Sequence, residues 1–217
     1  MKGRATSTQC PLCAHKWVTE YFYCGRHRDF FRCPQCLLIY VPPEYFLSPE
    51  KEKAEYDKHQ NSPGDAGYRL FLSRLSVPLL DQIAPGSKGL DFGSGPGPTL
   101  SLLFEEAGHT VNLYDPFYAP EKKVLTEKYD FITMSEVVEH CQNPARDLAL
   151  LWGLLKLGGW LGIMTGMALD MGAFSQWRYK DDLTHVCFFS THTMKWIAEQ
   201  WEVKQIIDFN NVWLLQK

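Results

Sequence analysis

Along residues 88–217 short apolar runs alternate with longer stretches whose apolar positions fall three and four apart, the rhythm of strands followed by helices. The runs at 89–92, 110–114, 129–134 and 160–165 predict strands, and the stretches at 99–107 and 144–157 predict helices. In the second helix Leu148, Leu151, Trp152 and Leu155 make one apolar stripe, Pro144 stands at its start, and Gly158 and Gly159 stand at its end. A helix over 190–200 and two closing strands, 203–208 and 212–216, complete an α/β pattern of the doubly wound kind. Only 14 residues separate Asp115 from Asp130, room for a short strand near Val124 and Leu125.

Ahead of this alternation the rhythm differs. Residues 66–83 predict an amphipathic helix with Leu70, Phe71, Leu75 and Leu79 toward a sheet, ended or kinked by Pro78. A charged helical stretch, 48–58, and a polar turn, 61–65, precede it. The chain thus divides into a head, 1–43, a helical cover or linker, 44–87, and an α/β domain, 88–217.

The head carries Cys10-Pro-Leu-Cys13 and Cys33-Pro-Gln-Cys36, with 19 residues between the two pairs. Each pair lets two thiolates bind one tetrahedral ion from a single tight turn, and four thiolates leave no open position for water. The spacing therefore predicts a structural zinc ion held by Cys10, Cys13, Cys33 and Cys36, against the alternative of four buried thiols without a metal. Trp17, Val18, Tyr21, Phe22, Phe30 and Phe31 supply the strands of a small zinc ribbon, which a head this short needs for stability. Cys24, His15 and His27 lie in the same segment, but the two pairs already complete a ligand set.

Composition narrows the class. A chain of 217 residues with 45% hydrophobic content suits one α/β domain with a small appendage. No apolar run of 18 residues occurs, and the N-terminus has no hydrophobic signal region, so the expectation is a soluble, cytoplasmic protein that does not enter a membrane. Seven cysteines dominated by two paired turns suit metal binding in a reducing compartment better than a disulfide framework. The net charge of −3 conceals six Lys/Arg in residues 1–40 against Glu20 and Asp29. A basic head on an acidic body can touch RNA, although solvation alone also explains six charges on a ribbon.

Residues 89–100, Gly-Leu-Asp-Phe-Gly-Ser-Gly-Pro-Gly-Pro-Thr-Leu, form a strand, a glycine loop and a helix start. Glycine permits backbone to approach a ligand closely, and free N–H groups at a helix start favour an anion. A dinucleotide fingerprint would require glycine at position 98, where this chain has Pro98. Asp-x-Gly-x-Gly-x-Gly after a strand instead resembles the first motif of class I S-adenosylmethionine-dependent methyltransferases. That resemblance implies that Asp91, Gly93, Ser94 and Gly95 border S-adenosylmethionine and that Asp115 accepts hydrogen bonds from its ribose; the alternative for Asp115 is a turn aspartate before Pro116. Tyr129-Asp-x-Ile-x-x-x-Glu136-Val-x-Glu139-His140 resembles the fourth-strand motif, which implies Met134, Ser135 and Glu136 beside the cofactor and Glu139-His140 beside the substrate opening. Residues 155–163 match the turn into the fifth strand, and Asp182-Leu-Thr-His185 resembles a substrate-facing segment of the superfamily. The resemblance spans roughly residues 48–217 and implies a seven-stranded Rossmann-like sheet; the family fits a helix and a third strand between its second and fourth strands, so the 14 residues between Asp115 and Asp130 are a departure that implies an abridged crossover.

Methyl transfer from a sulfonium needs alignment and exclusion of water more than an enzyme nucleophile. A hydroxyl or acidic carbon acceptor gains from a general base, for which His185 is the first candidate and His140 the second; for each, a histidine hydrogen-bonded to backbone is the structural alternative. Asp182 is the candidate to orient or polarise His185, although a three-residue separation in a loop does not establish contact. Tyr56, His59, Asn61 and Tyr68 either line the site or belong to a surface linker. The expected partner is a small-molecule methyl acceptor. RNA, read by the ribbon, is the leading alternative because some ribosomal RNA methyltransferases carry a zinc module; sugar C-methyltransferases with a zinc-binding head are further relatives, and a noncatalytic module using the cofactor fold is the reading from another class.

Overall fold

The chain folds as β1 (Tyr21–Cys24), β2 (Asp29–Arg32), β3 (Ile39–Tyr40), α1 (Pro49–Tyr56), α2 (Ala66–Leu80), β4 (Lys88–Phe92), α3 (Thr99–Glu106), β5 (Thr110–Tyr114), β6 (Tyr129–Ser135), α4 (Pro144–Leu154), β7 (Leu155–Met164), α5 (Met171–Gln176), β8 (Cys187–Phe188), α6 (Thr191–Gln200), β9 (Gln205–Asp208) and β10 (Val212–Gln216). This is a computed structural model and describes residues 9–16, 21–25, 27–58 and 62–217. Trp17, Val18, His59 and Asn61 lie outside those residues.

The larger sheet has the order β5-β4-β6-β7-β10-β9. Strands β5, β4, β6 and β7 are parallel, while β10 runs antiparallel to β7 and to β9. Alternation along the strands divides the core into two layers. Leu90, Ile132, Leu161 and Ile163 face Leu148 and Leu151 of α4 and Met194 and Ile197 of α6. Phe131, Trp160, Met164 and Leu214 face Leu72, Leu75 and Leu79 of α2 and Leu100 and Phe104 of α3.

This sheet has six strands rather than the expected seven. The segment expected to form a third strand near Val124 and Leu125 folds as a 3₁₀ turn, Lys122–Thr126. A parallel crossover needs a dozen or more residues for its connection alone, and this one has too few for a helix and another strand. The turn packs Val124 and Leu125 against the core, and the Tyr129 hydroxyl donates to Val124 O at 2.7 Å, so β5 is left as an edge with its lower end covered.

Two helices also differ in detail from the sequence pattern. The buried face of α2 is Leu72, Leu75, Ser76 and Leu79, whereas Leu70 is 72% exposed. Pro78 falls in the last turn of α2, which continues to Leu80 instead of breaking. Helix α4 stops at Leu154, and residues 155–159 already belong to β7, where Leu155 pairs with Tyr129.

The N-terminal strands form a second sheet, β1-β2-β3-β8, antiparallel throughout. Its last strand comes from the far end of the chain. Phe174 of α5 packs edge-on against Phe22, Phe30 and Phe188, at ring separations of 5.3, 5.2 and 5.4 Å, and this aromatic cluster continues into the core under α4 and α6. Among the described residues no helix is long and apolar enough to cross a membrane.

The α2 layer gives a direct test. Leu75 is fully buried, so Leu75→Ala should cost about 2–5 kcal/mol in urea unfolding, whereas Leu70→Ala should stay within about 0.5 kcal/mol of wild type. Equal costs would contradict the assigned face.

Candidate active site

In the order β5-β4-β6 the next two strands in sequence lie on opposite sides of β4, and a crevice opens beyond the carboxyl ends of these parallel strands at that switch point. The loop leaving β4 is held from the side by the end of β5. Gly93 N donates to Tyr114 O at 2.7 Å, and Gly95 N donates to Asp115 Oδ2 at 3.0 Å. Two glycines have separate reasons to be there. Gly93 has φ +79° and an added Cβ would stand 2.4 Å from Val137; Gly95 has φ +63° and open space where a side chain would be.

Asp115 also accepts from Phe117 N at 2.8 Å and Tyr118 N at 3.0 Å through Oδ1, so it does close a turn before and after Pro116. The same carboxylate thus grips the glycine loop and lines the crevice. Asp91 is buried at the end of β4, where Thr133 Oγ1 donates to it at 2.8 Å. Burial, offset in part by that hydrogen bond, pushes its carboxyl up to about 6.

The crevice is a cleft of about 760 Å³. Gly93, Ser94, Gly95 and Asp115 form its floor at one end, with Ser135 and Glu136 at the end of β6. Asp91 borders a small side chamber of about 20 Å³ shared with Ser94 and Ser135. Met134 does not reach the cleft; its side chain is fully buried in the sheet core, because alternation turns it away from the loop that carries Ser135. The hydroxyl oxygens of Ser94 and Ser135 are buried without a hydrogen-bond partner among the described residues.

Helix α1 supplies one wall. Pro49, Glu52 and Tyr56 line the cleft from it, and the Tyr56 hydroxyl donates to Glu52 Oε1 at 2.8 Å. Tyr68 and Phe71 of α2 contribute from the opposite approach, and Phe117 and Tyr118 follow Asp115. Those last two aromatics were not singled out from sequence, although an aromatic pair directly after the acid ending β5 was the available signal.

At the far end His140, Asp182 and His185 line the same cleft. The rings of His140 and His185 meet edge-on at 4.6 Å. His185 Nδ1 lies 2.8 Å from Tyr179 O, and a carbonyl can only accept, so Nδ1 carries the proton and Nε2 the lone pair. Nε2 is 3.8 Å from Asp182 Oδ2. Burial, reinforced by His140, holds the His185 ring down to about 4, so the ring is neutral at pH 7. Burial acts to raise Asp182, but hydrogen bonds from Thr184 Oγ1 and N and the nearby histidines outweigh it and keep the carboxyl below its ordinary range. His140 Nδ1 lies 3.2 Å from Thr184 O. Both histidines are therefore bound to backbone, and for His185 that bond fixes which nitrogen faces the acid.

Behind them lies an acid pair bridged by Tyr179. Its hydroxyl reaches Glu139 Oε1 and Glu136 Oε2, the latter at 3.1 Å, while Thr165 Oγ1 donates to Glu139 Oε2 at 2.8 Å. Burial and then the neighbouring carboxyl raise Glu136 to about 8, and burial raises Glu139 to about 7. One phenolic hydrogen cannot serve both acids, so the pair retains a proton near neutrality. Glu139 is fully buried, with its carboxylate turned toward Thr165 and Tyr179. It does not line the cleft as His140 does.

The four cysteines of the two Cys-x-x-Cys turns meet in one cluster. Cys10 Sγ is 3.6 Å from Cys36 Sγ, Cys13 Sγ is 3.4 Å from Cys33 Sγ, and all four sulfurs lie within 4.8 Å of one another. The two turns are alike: Ala14 N donates to Cys10 O and Leu37 N to Cys33 O, both at 3.0 Å, and Ala14 and Leu37 both have positive φ. Tetrahedral zinc–sulfur bonds set sulfurs about 3.8 Å apart, so the cluster fits one ion with little adjustment.

Known proteins resemble much of the chain. A family described as a methyltransferase domain matches residues 64–202. The ubiquinone biosynthesis O-methyltransferase, mitochondrial, of Candida albicans is 31% identical over 191 residues, covering 76% of this chain and 55% of that protein, so the chain spans about half the length of that relative. Among solved structures, a SAM-dependent methyltransferase from Archaeoglobus fulgidus aligns with TM-score 0.51 at 17% identity, covering 68% of this chain and 93% of the other. The 1,6-didemethyltoxoflavin-N1-methyltransferase of Burkholderia thailandensis, solved with 1,6-didemethyltoxoflavin and S-adenosylhomocysteine bound, aligns with TM-score 0.56 at 14% identity, covering 91% of this chain and 99% of the other. The family match takes in β4, β5 and β6 with the loops that floor the cleft, and on that ground the chain belongs to the methyltransferase-domain family.

Proposed function

We propose that the protein transfers a methyl group from S-adenosylmethionine to a small-molecule acceptor. The observation that carries this reading is a single cleft with a glycine loop, Asp115 and two buried serine hydroxyls at one end and a neutral histidine at the other. The residues fit the cofactor. Gly95 leaves room for close approach, Asp115 offers carboxylate oxygens to a ribose diol, and Ser94 Oγ and Ser135 Oγ need a polar partner that a bound nucleoside would bring. The acidic and aromatic wall of Glu52, Tyr56, Phe117 and Tyr118 suits a cationic, ring-bearing ligand.

Bound there, the cofactor would supply an electrophilic methyl group and a good leaving group. The chain's own residues then orient the acceptor and exclude water, and His185 Nε2 takes the acceptor's proton, with Asp182 stabilising the imidazolium that forms. His140 forms the adjoining wall. O-methylation of a small hydroxyl compound is the favoured chemistry, supported by the name of the Candida albicans relative and by the neutral base. RNA is the less favoured acceptor because two cations of the head face inward: Arg28 is buried, and Arg32 lies over the Phe22 ring at 5.0 Å.

Zinc at Cys10, Cys13, Cys33 and Cys36 is the structural part of the proposal. Elemental analysis should find one zinc per chain, and Cys33→Ser should abolish stoichiometric binding; wild-type protein that is folded and metal-free would contradict it.

The catalytic reading is tested by methyl transfer to a panel of small hydroxyl acceptors and to RNA. Turnover on one of the former, reduced about 100-fold or more by His185→Gln at unchanged S-adenosylhomocysteine affinity, is expected. Labelling confined to RNA would overturn the acceptor class.

The depressed His185 pKa also has a sign. Between pH 6.5 and about 4 the unfolded chain binds a proton at this ring that the folded chain refuses, so this group weakens folding as pH falls through that window. His185→Gln should therefore flatten the dependence of unfolding free energy on pH there, by up to about one bound proton.

A further inference from the structure

The turn joining β1 to β2 sends one cation inward. Arg28 is 5% exposed, and Gly25 N donates to its carbonyl oxygen at 3.1 Å, closing the turn. Its guanidinium donates from Nη1 to Leu183 O at 3.2 Å, and from Nη2 to Lys180 O at 2.6 Å and to Asp182 O. These carbonyls lie at and just past the C-terminal end of the 3₁₀ turn Arg178–Asp181, where helical geometry leaves carbonyls short of N–H partners; Asp182 O also accepts from His185 N at 3.3 Å. A planar fork of donors suits three converging acceptors in a way that a point charge does not.

The surroundings hold that fork in place. The guanidinium lies 5.3 Å from the centre of the Phe30 ring, and the charges of Asp181 and Asp182 offset part of the cost of its burial. A second contact runs parallel to the first: Lys180 Nζ lies 5.6 Å from the centre of the Tyr23 ring. Strand β8, which starts two residues after His185, is itself the fourth strand of the N-terminal sheet.

We infer that Arg28 is the positioning residue through which the N-terminal ribbon sets the loop 178–185 and, with it, the direction in which His185 presents Nε2 to the cleft. The inference rests on the reading of His185 as the group facing the methyl acceptor. The chain of contacts is short. Arg28 holds the carbonyls of Lys180, Asp182 and Leu183; the same loop supplies Tyr179 O to His185 Nδ1 and the Asp182 carboxylate to the vicinity of Nε2. The cofactor end is held differently, by Tyr114 O and Asp115. The contacts of Arg28 therefore bear on the acceptor end of the cleft, while the glycine loop at the cofactor end takes its hydrogen bonds from the end of β5.

The test uses the full, zinc-loaded chain with Arg28→Met, which keeps much of the stem and removes the fork, and Arg28→Lys, which keeps the charge. Three readouts are compared: calorimetric affinity for S-adenosylhomocysteine, amide exchange at Thr184, His185 and Val186, and the ¹⁵N shifts that report the His185 tautomer. Loss of charge-assisted hydrogen bonds should speed exchange at those amides about tenfold or more in Arg28→Met and less in Arg28→Lys. The Nδ1–H tautomer should give way to a mixture, while the affinity stays within about twofold. Should Arg28→Met fail to fold, Arg28→Lys decides on the same readouts. An unchanged tautomer and unchanged exchange would overturn the assignment, as would a loss of cofactor affinity as large as the change in the loop. Failure of the His185 reading is separate: it would appear as full methyl transfer by His185→Gln, whatever Arg28 does to the loop.

Discussion

Three backbone amides converge on the carboxylate of Asp115, and the rest of the cleft depends on that convergence. Gly95 N reaches it from the loop after β4, and Phe117 N and Tyr118 N reach it from the turn after β5. Amides facing a carboxylate make charge-assisted bonds, stronger than those to a neutral acceptor. They tie the ends of two neighbouring parallel strands together at the point where the strand order switches sides, and so hold the glycine loop and the aromatic pair on either side of the cleft. A bound ribose would meet the same oxygens, which gives Asp115 both a structural and a ligand-facing task.

The acceptor end has a different foundation. His185 is set by a backbone carbonyl of the 3₁₀ turn before it and by a strand after it that belongs to the ribbon sheet. The four-cysteine cluster and the aromatic packing of Phe22, Phe30, Phe174 and Phe188 are therefore part of the architecture of the cleft rather than an attached module. Two supports meet at the cleft: a parallel sheet that offers backbone amides and a carboxylate, and an N-terminal sheet whose Arg28 bonds the loop that carries His185. Between them the acid pair Glu136 and Glu139, bridged by Tyr179 and pushed up in pKa by burial, packs behind the histidine loop.

Most of the sheet was legible because its signals are local. Strand alternation, the glycine loop and the acids that end β4 and β5 are all read within a few residues, and the strands lie close to where those signals put them. The cysteine pairs were legible for the same reason. Leu72, Leu75 and Leu79 stand at i, i+3 and i+7 and are buried, whereas Leu70 lies about 140° round the helix from Leu75 and is exposed, so here the helical period alone already separates the two. What was not legible depended on packing across the chain. Leu155 continues the stripe of α4 but is claimed by β7 through pairing with Tyr129. Met134 follows the motif into the cleft by sequence and is turned into the core by strand alternation. The missing seventh strand was foreshadowed by a short crossover, yet its replacement by a 3₁₀ turn was not. Arg28 showed only as a charge, since nothing local reveals that three carbonyls more than 150 residues later surround it.

The central claim is that the glycine loop and Asp115 hold a nucleoside cofactor, and calorimetric titration with S-adenosylhomocysteine tests it most directly. Saturable one-site binding to the wild type, weakened about tenfold or more by Asp115→Ala, is the predicted result. A folded, metal-replete wild type that binds no S-adenosylhomocysteine would contradict it.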